Sequence, residues 1–397
     1  MKKFKRIFVI VMDSAGIGAA KDADKFDDVG TNTWVHTSQA CGGLNIPNIN
    51  SLGIFDLDNN IVGASKVAHP HSYCLKLEEV SASKDTLTGH HEMMGIKTSV
   101  PFRTFTETGF PDALIKELEE KTGRHIVGNV AASGTEIIKQ WGEHQMKTGD
   151  LIVYTSSDSV LQICGHEEVI PLEELYRYCH IAREICNRPE YSLGRIIARP
   201  YVGTNKDNFK RTPNRHDYAV NPAGTTYMDL MKENGFTVSC VGKINDIFNT
   251  CGVTETQSTK SNIDGMNKTI ALLDKDFTGM VFTNLVEFDS EYGHRRNPQG
   301  YGKAIEDFDK QLGEFMAKMN DDDLVMVTAD HGNDPTYKGS DHTRENVPLL
   351  VYSKQYKNGR MLPLHESFAG IGATIIENFG IKKTTQIGEP IKELLED

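Results

Sequence analysis

Runs of apolar residues alternate along much of the chain with segments whose apolar positions recur at helical spacing. The apolar runs predict strands over residues 7–12, 237–241, 280–288, 324–328 and 347–352. An apolar stripe or a closing glycine predicts helices over residues 225–234, 302–319 and 367–379. Strands that alternate with helices through short connections favour a mostly parallel sheet covered by helices on both faces. We therefore predict an α/β fold.

The middle of the chain differs from its two ends, because it is rich in polar turns. Its sequence pattern also predicts a separate set of helices and strands. These elements are helices over residues 111–121 and 172–187 and a strand over residues 151–155. We predict that residues 101–219 form an inserted α+β cap domain. The core domain would then consist of two parts, residues 1–100 and residues 220–397.

Polar residues follow three of the predicted strands. Each of these strands leads to an aspartate, and histidines come after two of them: Asp13, Asp289, Asp330, His294, His331 and His342. A single aspartate in such a place is more often a helix cap or a turn residue, but three with histidines attached are better explained as ligands. Ligand sites in open α/β sheets lie at the carboxyl ends of strands, and carboxylate and imidazole groups suit zinc, manganese and related ions. The pattern predicts a set of ligands large enough for two metal ions.

A polar turn predicted just before Gly89 carries two hydroxyl groups, those of Thr86 and Thr88. A threonine-rich turn by itself is nearly always structural. Beside divalent cations a hydroxyl loses its proton more easily, because the metal favours the alkoxide. Such a hydroxyl is a candidate nucleophile for phosphoryl transfer.

Composition excludes several classes of function. The net charge of -12 and the pI near 5.6 argue against non-specific binding to nucleic acid, which needs a basic face. Seven scattered cysteines without a Cys-x-x-Cys motif suit reduced thiols and predict a cytoplasmic protein. No apolar stretch approaches the roughly 18 residues that a membrane span requires. The glycines after Asp13 lack the spacing of a dinucleotide-binding or P-loop motif.

Together these motifs resemble the phosphopentomutase family of the alkaline phosphatase superfamily. The resemblance rests on an Asp-Ser opening at Asp13, Asp-Thr-x-Thr-Gly-His at 85–90, Asp289 with His294, Thr-Ala-Asp-His-Gly-Asn-Asp at 328–334 and Asp-His-Thr at 341–343. The similarity runs from end to end of the chain. It implies an alkaline phosphatase-like core and interconversion of α-D-ribose 1-phosphate and D-ribose 5-phosphate, with the 2-deoxyribose forms. The implied route passes through a phosphothreonine and a bisphosphate intermediate.

The resemblance also implies two Mn²⁺ ions per chain, although the residue types alone would equally allow Zn²⁺. One ion is assigned to Asp13, Asp330, His331 and Thr86, and the other to Asp289, His294 and His342. Thr86 is preferred to Thr88 because it stands four residues before His90, as the nucleophilic serine does in the related cofactor-independent phosphoglycerate mutases. Activation by glucose 1,6-bisphosphate or ribose 1,5-bisphosphate is implied as well. The role of His90 stays open.

The expected partners are small sugar phosphates, with neither nucleic acid nor membrane. The resemblance implies the following substrate contacts: Ser156, Asp158, Val160, Arg195, Arg211 and Lys243. An arginine suits phosphate because its planar fork can bind two oxygens at once, although a single arginine is more often a solvated or ion-paired surface residue. Three other functions remain open at this point: a metal-dependent phosphatase or phosphodiesterase on the same core, an enzyme like phosphoglycerate mutase, and a metal-binding protein without catalysis. The residues leave the oligomeric state open.

Overall fold

The computed structural model describes residues 3–156 and 158–396. The chain divides into two compact units. The core unit comprises Met1–Ser99 and Pro222–Asp397, and the inserted unit comprises Val100–Asn221. That the inserted unit acts as a cap stays a prediction.

The core unit contains strands and helices from both ends of the chain. Its first part consists of β1 (Arg6–Met12), a 3₁₀ turn (Ala23–Phe26), α1 (Thr33–Ala40), α2 (Pro47–Ser51), α3 (Ile54–Leu57), β2 (Ser72–Leu77) and α4 (Thr86–Met93). The inserted unit follows with α5 (Asp112–Thr122), β3 (Ile126–Ala131), α6 (Gly134–Thr148), β4 (Leu151–Thr155), β5 (Val160–His166), α7 (Leu172–Cys186), β6 (Arg195–Val202), β7 (Lys210–Arg211) and β8 (His216–Ala219). The second part of the core unit consists of α8 (Tyr227–Glu233), β9 (Thr237–Val241), α9 (Ile244–Ile247), β10 (Glu255–Gln257), α10 (Asn262–Leu272), β11 (Gly279–Leu285), a π-helical turn (Phe288–Gly293), α11 (Pro298–Lys318), β12 (Asp323–Thr328), β13 (Val347–Tyr352), α12 (Gly370–Asn378) and α13 (Glu393–Glu396). No described helix is both long enough and apolar enough to cross a membrane.

The core sheet is mostly parallel, with the strand order β10-β9-β11-β1-β12-β13-β2. Strands β10, β9, β11, β1 and β12 run parallel, whereas β13 is antiparallel to both of its neighbours. Every residue of β1 is buried, as expected for a central parallel strand that is covered on both faces. In register, Val11 lies between Asn284 and Thr328, so the segments after β1, β11 and β12 emerge at the same edge.

Helix α11 packs its predicted apolar stripe into the core. Ile305, Phe308, Leu312 and Phe315 are buried, and the Phe315 ring meets the Phe8 ring of β1 edge to face at a centroid distance of 5.1 Å. The helix begins at Pro298, four residues before the predicted start. Its beginning is set by the side chain of the preceding asparagine, which accepts a hydrogen bond from Gly300 N, and by proline at the first position.

The predicted strand over residues 280–288 is too long. Strand β11 ends at Leu285, and Asp289 lies in the π-helical turn that follows, not at the tip of a strand. The chain leaves the sheet at Glu287, whose amide nitrogen donates to Asn262 Oδ1 at 3.0 Å while its carboxylate accepts from Asn262 N at 2.6 Å. This exchange of hydrogen bonds with the start of α10 replaces the pairing that a longer strand would have needed.

The inserted unit has a sheet of its own with the order β3-β4-β5-β6-β7, and β8 also pairs with β6. Strands β3 and β4 are parallel, β4 and β5 antiparallel, and β5 and β6 parallel again. One apolar cluster combines sheet residues such as Val153 and Ile163 with residues of α5 and α7. A second cluster combines Ile152 and Tyr201 with residues of α6. Helices therefore cover both faces of this mixed sheet.

Candidate metal centre and nucleophile

Two buried carboxylates lie at the carboxyl edge of the core sheet. Asp13 directly follows β1, and Asp330 comes two residues after the neighbouring parallel strand β12. The Asp330 side chain is also held by the next segment of chain, because its Oδ1 accepts a hydrogen bond from Ser14 N at 3.0 Å. The register of the two strands thus brings together residues that are more than 300 positions apart in sequence.

His331 completes a first cluster with these two aspartates. Its Nε2 lies 3.5 Å from Asp13 Oδ1 and 3.3 Å from Asp330 Oδ2. The hydroxyl oxygen of Thr86 lies 3.1 Å from the same nitrogen. One ligand atom from each of Asp13, Asp330 and His331 lies within 4.8 Å of the others, a spacing that a single metal ion can bridge.

A second cluster surrounds Asp289. His294 Nε2 lies 3.0 Å and His342 Nε2 lies 3.5 Å from Asp289 Oδ2. The two clusters adjoin, because the rings of His331 and His342 have a centroid distance of 4.1 Å. Ligand atoms of Asp289, His331 and His342 also lie within 4.8 Å of one another, so His331 stands between the two groups of carboxylates.

The predicted turn that carries the two threonines is in fact the start of a helix. Helix α4 begins at Thr86, and Asp85 caps it by accepting hydrogen bonds from Thr88 N at 3.0 Å and from Thr88 Oγ1 at 2.7 Å. Aspartate is among the residues preferred at the N-cap position, so Asp85 is a signal for a helix start that the sequence carries. The two hydroxyls differ as a result: that of Thr88 is buried and bonded to the cap, whereas that of Thr86 faces His331.

The electrostatics of the first cluster favour a bound cation. Burial raises the pKa of Asp13 well above its usual range, and the nearby carboxylates of Asp330 and Asp289 raise it further. Among the described residues, Asp13 Oδ1 has no hydrogen-bond partner although it is buried. Burial also lowers the pKa of His331 and so favours the neutral imidazole that binds metals. Carboxylate oxygens and imidazole nitrogens at these distances fit a transition-metal ion.

In Asp289 two opposing effects act on the same carboxyl. Burial by itself would raise its pKa, but the imidazoles of His342 and His294 hold the pKa of Asp289 well below its usual range. The carboxylate therefore stays ionised, as a metal ligand must be.

Comparison with known proteins identifies the family. Residues 5–383 match the model of a family described as the metalloenzyme superfamily. The phosphopentomutase of Clostridium beijerinckii is 53% identical over 392 residues, which are 98% of this chain and 99% of the relative. The phosphopentomutase of Clostridium tetani is 53% identical over 399 residues, the full length of both chains. The chain belongs to the phosphopentomutase family. A solved structure of a protein from Pyrococcus horikoshii, 14% identical, covers 98% of this chain and 100% of its own with a TM-score of 0.51.

Membership of the phosphopentomutase family confirms two predictions. The fold is the predicted α/β arrangement of the alkaline phosphatase superfamily, a core with a mostly parallel sheet and an additional domain. The chain is also a metalloenzyme, as predicted from the aspartate and histidine pattern. The identity and the number of the metal ions stay predictions.

The residues expected to bind substrate in this phosphopentomutase-family chain lie in both units. Four of them gather at one edge of the inserted unit's sheet: Ser156 and Asp158 between β4 and β5, Val160 at the start of β5, and Arg195 opposite Val160 at the start of β6. The Val160 side chain is buried, which leaves its backbone for contacts with a ligand. The Arg195 guanidinium lies 3.6 Å from Asp217.

The other two expected contacts lie elsewhere. Arg211 is opposite Tyr201, six residues along β6 from Arg195. Its Nη1 lies 3.4 Å from the position that a Cβ would take on Gly134, at the start of α6. Lys243 belongs to the core unit, where it follows β9 at the same edge of the sheet as the two clusters.

Sequence reasoning missed two amides that hold the carboxylates in place. Asn284 Nδ2 donates to Asp13 Oδ2 at 2.9 Å, and Asn333 Nδ2 donates to Asp289 Oδ1 at 2.7 Å. Both asparagines are buried. A signal existed for each of them, because Asn284 interrupts the apolar run of β11 and Asn333 belongs to the motif over residues 328–334.

Proposed function

We propose that the chain is a phosphopentomutase that interconverts α-D-ribose 1-phosphate and D-ribose 5-phosphate, and also their 2-deoxyribose forms. The relatives in Clostridium beijerinckii and Clostridium tetani carry that name and align with 98% and 100% of this chain at 53% identity. The observation that carries the proposal is the Thr86 hydroxyl, which lies 3.1 Å from His331 Nε2 and next to two buried carboxylates. A mutase that moves a phosphoryl group needs a residue that holds the group between the two transfers.

The position of Thr86 at the first residue of α4 supports it as that carrier. The amino end of a helix carries a positive partial charge that favours a bound phosphate, although the N–H of Thr88 in α4 is already bonded to Asp85. Thr88 is a poor alternative, because its hydroxyl is buried and donates to Asp85 Oδ2 at 2.7 Å. The predicted assignment of phosphothreonine to Thr86 therefore forms part of this proposal.

The proposed cofactor is a pair of Mn²⁺ ions. Asp13, Asp330, His331 and the Thr86 oxygen would hold one ion, and Asp289, His294 and His342 would hold the other. Bound there, the ions would neutralise charge on the transferring phosphoryl group and favour the alkoxide of the nucleophile. The orphaned Asp13 oxygen and the low pKa of the Asp289 carboxyl support this ligand set.

The reaction consists of two transfers, each of which breaks one P–O bond and forms another. Phospho-Thr86 gives its phosphoryl group to the free 5-hydroxyl of ribose 1-phosphate, and the hydroxyl proton leaves to solvent or to a nearby base. The product, ribose 1,5-bisphosphate, then returns its 1-phosphoryl group to the Thr86 oxygen. The C1 oxygen that is released takes up a proton, and the sugar leaves as ribose 5-phosphate. Glucose 1,6-bisphosphate or ribose 1,5-bisphosphate would phosphorylate Thr86 at the start and so act as an activator.

The substrate contacts are proposed from the resemblance together with the chemistry of the residues. Arg195, Arg211 and Lys243 would bind phosphate oxygens, and Ser156, Asp158 and the Val160 backbone would contact the sugar. Two observations support the role of Arg195. Its side chain is partly exposed, and it lies at a strand end beside the turn that carries the proposed sugar contacts. The division into a core (residues 1–100 and 220–397) and a cap (residues 101–219) is part of the same proposal.

We place this activity in the cytoplasm, with small sugar phosphates as the partners. All seven cysteines are free thiols in the structure, which supports a reducing compartment. Burial raises the pKa of the Cys74 and Cys164 thiols to about 12, so these two are unreactive structural residues.

One assay tests the proposed function. The purified protein is incubated with ribose 1-phosphate, Mn²⁺ and a catalytic amount of glucose 1,6-bisphosphate, and the products are followed by ³¹P NMR. We expect ribose 5-phosphate. Release of inorganic phosphate without ribose 5-phosphate would identify a phosphatase on the same core instead.

A matched pair of threonine variants tests the carrier. Peptide mass spectrometry after treatment with the bisphosphate is expected to find phosphate on Thr86. Thr86→Ala should lose nearly all turnover, whereas Thr88→Ala should still be phosphorylated, with weaker activity because the helix cap is disturbed. Phosphate on Thr88 would reverse the assignment.

A further inference from the structure

His90 is a fully buried histidine in the middle of the candidate centre. It lies on α4, one turn after Thr86, and its ring packs against that of Phe282 at a centroid distance of 5.7 Å. The two ring nitrogens meet different partners. One nitrogen faces the start of α4 and Asp330, and the other faces strand β11.

The nitrogen Nδ1 lies close to two oxygen atoms. It is 2.9 Å from the backbone carbonyl oxygen of Thr86 and 3.2 Å from Asp330 Oδ2. The Thr86 carbonyl oxygen accepts a hydrogen bond from Nδ1. Asp330 Oδ2 lies beside the same nitrogen, but among the described residues it has no hydrogen-bond partner.

The nitrogen Nε2 lies 3.4 Å from Asn284 Nδ2, and the same amide nitrogen is 2.9 Å from Asp13 Oδ2. An amide nitrogen only donates, so Asn284 Nδ2 donates both to Asp13 Oδ2 and to Nε2 of His90. The Asn284 side chain therefore joins His90 to Asp13.

We propose that His90 and Asn284 form a positioning pair for phosphoryl transfer. The pair links Asp13, through the amide and the imidazole, to the backbone carbonyl of Thr86 at the first residue of α4. Its effect is to hold the Thr86 hydroxyl and the two carboxylates at fixed separations while phosphate joins and leaves Thr86. This inference rests on the proposed mutase function and adds two residues to its machinery.

The contribution of such a pair is large because phosphoryl transfer depends on alignment. A misplacement of about 1 Å in the reacting geometry costs on the order of 10²-fold in rate. Removing the imidazole leaves the Thr86 carbonyl without the donor at Nδ1 and frees the start of α4 to shift. Since both ring nitrogens bond to protein atoms, the loss should appear in kcat and in the rate of Thr86 phosphorylation, with KM changed little.

Three substitutions of His90 distinguish the contributions of the hydrogen bonds at its two ring nitrogens. His90→Leu removes both hydrogen bonds, His90→Asn keeps a donor at the reach of Nδ1, and His90→Gln reaches the position of Nε2. We expect kcat to fall by roughly 10²-fold in His90→Leu, to recover most in His90→Asn and to recover less in His90→Gln. Asn284→Leu should resemble His90→Leu.

The matched control is His91→Leu at the neighbouring position. His91 is equally buried, but its Nε2 bonds to the backbone oxygen of Ile247 at 3.1 Å, away from the carboxylates. We expect this variant to lose stability while its folded fraction keeps the kcat of the unmodified enzyme. Equal losses of kcat in His90→Leu and His91→Leu, each normalised to folded protein, would overturn the inference.

The activity of the unmodified enzyme distinguishes failure of the proposed function from failure of the positioning role. Absence of mutase activity in the unmodified enzyme would refute the proposed function. An active enzyme whose His90→Leu variant keeps its kcat would refute only the positioning role.

Discussion

Replacing Asp13 by asparagine removes one negative charge from the most crowded part of the candidate metal centre. Asp13 and Asp330 each offer an oxygen within 4.8 Å of the other, and both are buried. At this separation and an effective dielectric constant of about 20, two ionised carboxylates would repel by roughly 3 kcal/mol, and proton uptake by Asp13, whose pKa is raised, relieves part of this repulsion. Neighbouring histidines offset part of this repulsion. We therefore expect Asp13→Asn to raise the unfolding free energy of the metal-free protein by about 1 to 3 kcal/mol.

The same substitution should remove the stabilisation that the metal provides. A ligand at 100 times its Kd stabilises the folded state by about 2.7 kcal/mol per site. With Asp13 replaced, the first site loses a charged ligand, so most of that increment should vanish. The variant is thus expected to be more stable than the unmodified protein in a chelator and less stable in Mn²⁺.

Urea unfolding with EDTA and with excess Mn²⁺ measures both effects. Asp309→Asn is a suitable control, because Asp309 is buried but satisfied: Oδ1 accepts from Ile49 N at 2.7 Å and Oδ2 from Asn48 Nδ2 at 2.9 Å. The control should lose stability in both conditions and keep the full metal increment. If Asp13→Asn behaves like this control, Asp13 is a structural residue and the assignment of the first metal site is wrong.

Three further predictions follow from particular contacts. Arg6 forms two hydrogen bonds of 2.7 Å with Asp323 at the start of β1 and β12, so Arg6→Met should cost about 3–5 kcal/mol in urea unfolding. The double variant with Asp323→Leu should recover most of this loss, and a double variant as unstable as the single one would contradict the account. Burial lowers the pKa of His91 to about 4, so between pH 6.5 and pH 4 the unfolded state binds more protons. The free energy of unfolding should therefore decrease as the pH is lowered from 6.5 to 4, by up to about 3 kcal/mol, and by less in His91→Gln. Parallel pH profiles of the unfolding free energy in the two proteins would refute this. A Cβ on Gly89 would lie 2.1 Å from the carbonyl oxygen of Asp330, so Gly89→Ala should displace α4 and abolish turnover, whereas an active variant would show that α4 can move without loss.

Much of the fold was predictable from the sequence because the central strands are buried on both faces. Such strands appear as unbroken apolar runs, and those over β1, β9, β12 and β13 predict the observed strands to within a residue. The metal ligands were predictable for a related reason, since polar residues directly after a buried run stand out. Strand β2 escaped prediction, because its short mixed sequence Ser-Tyr-Cys-Leu-Lys-Leu becomes a strand only by pairing with β13.

Other features of the site were decided by tertiary structure alone. Asp289 leaves the end of β11 because Glu287 exchanges hydrogen bonds with Asn262, a partner 25 residues away. The rings of His331 and His342 reach a centroid distance of 4.1 Å where Gly332 and Thr343 exchange backbone hydrogen bonds.

The link from Asp13 through Asn284 to His90 joins three separate segments of the chain. Local sequence does not predict which segments come into contact in the folded protein. Residue type and spacing determined which groups can bind a metal or carry a phosphoryl group. Their distances from one another depend on strand register and on long-range hydrogen bonds, which only the folded chain establishes.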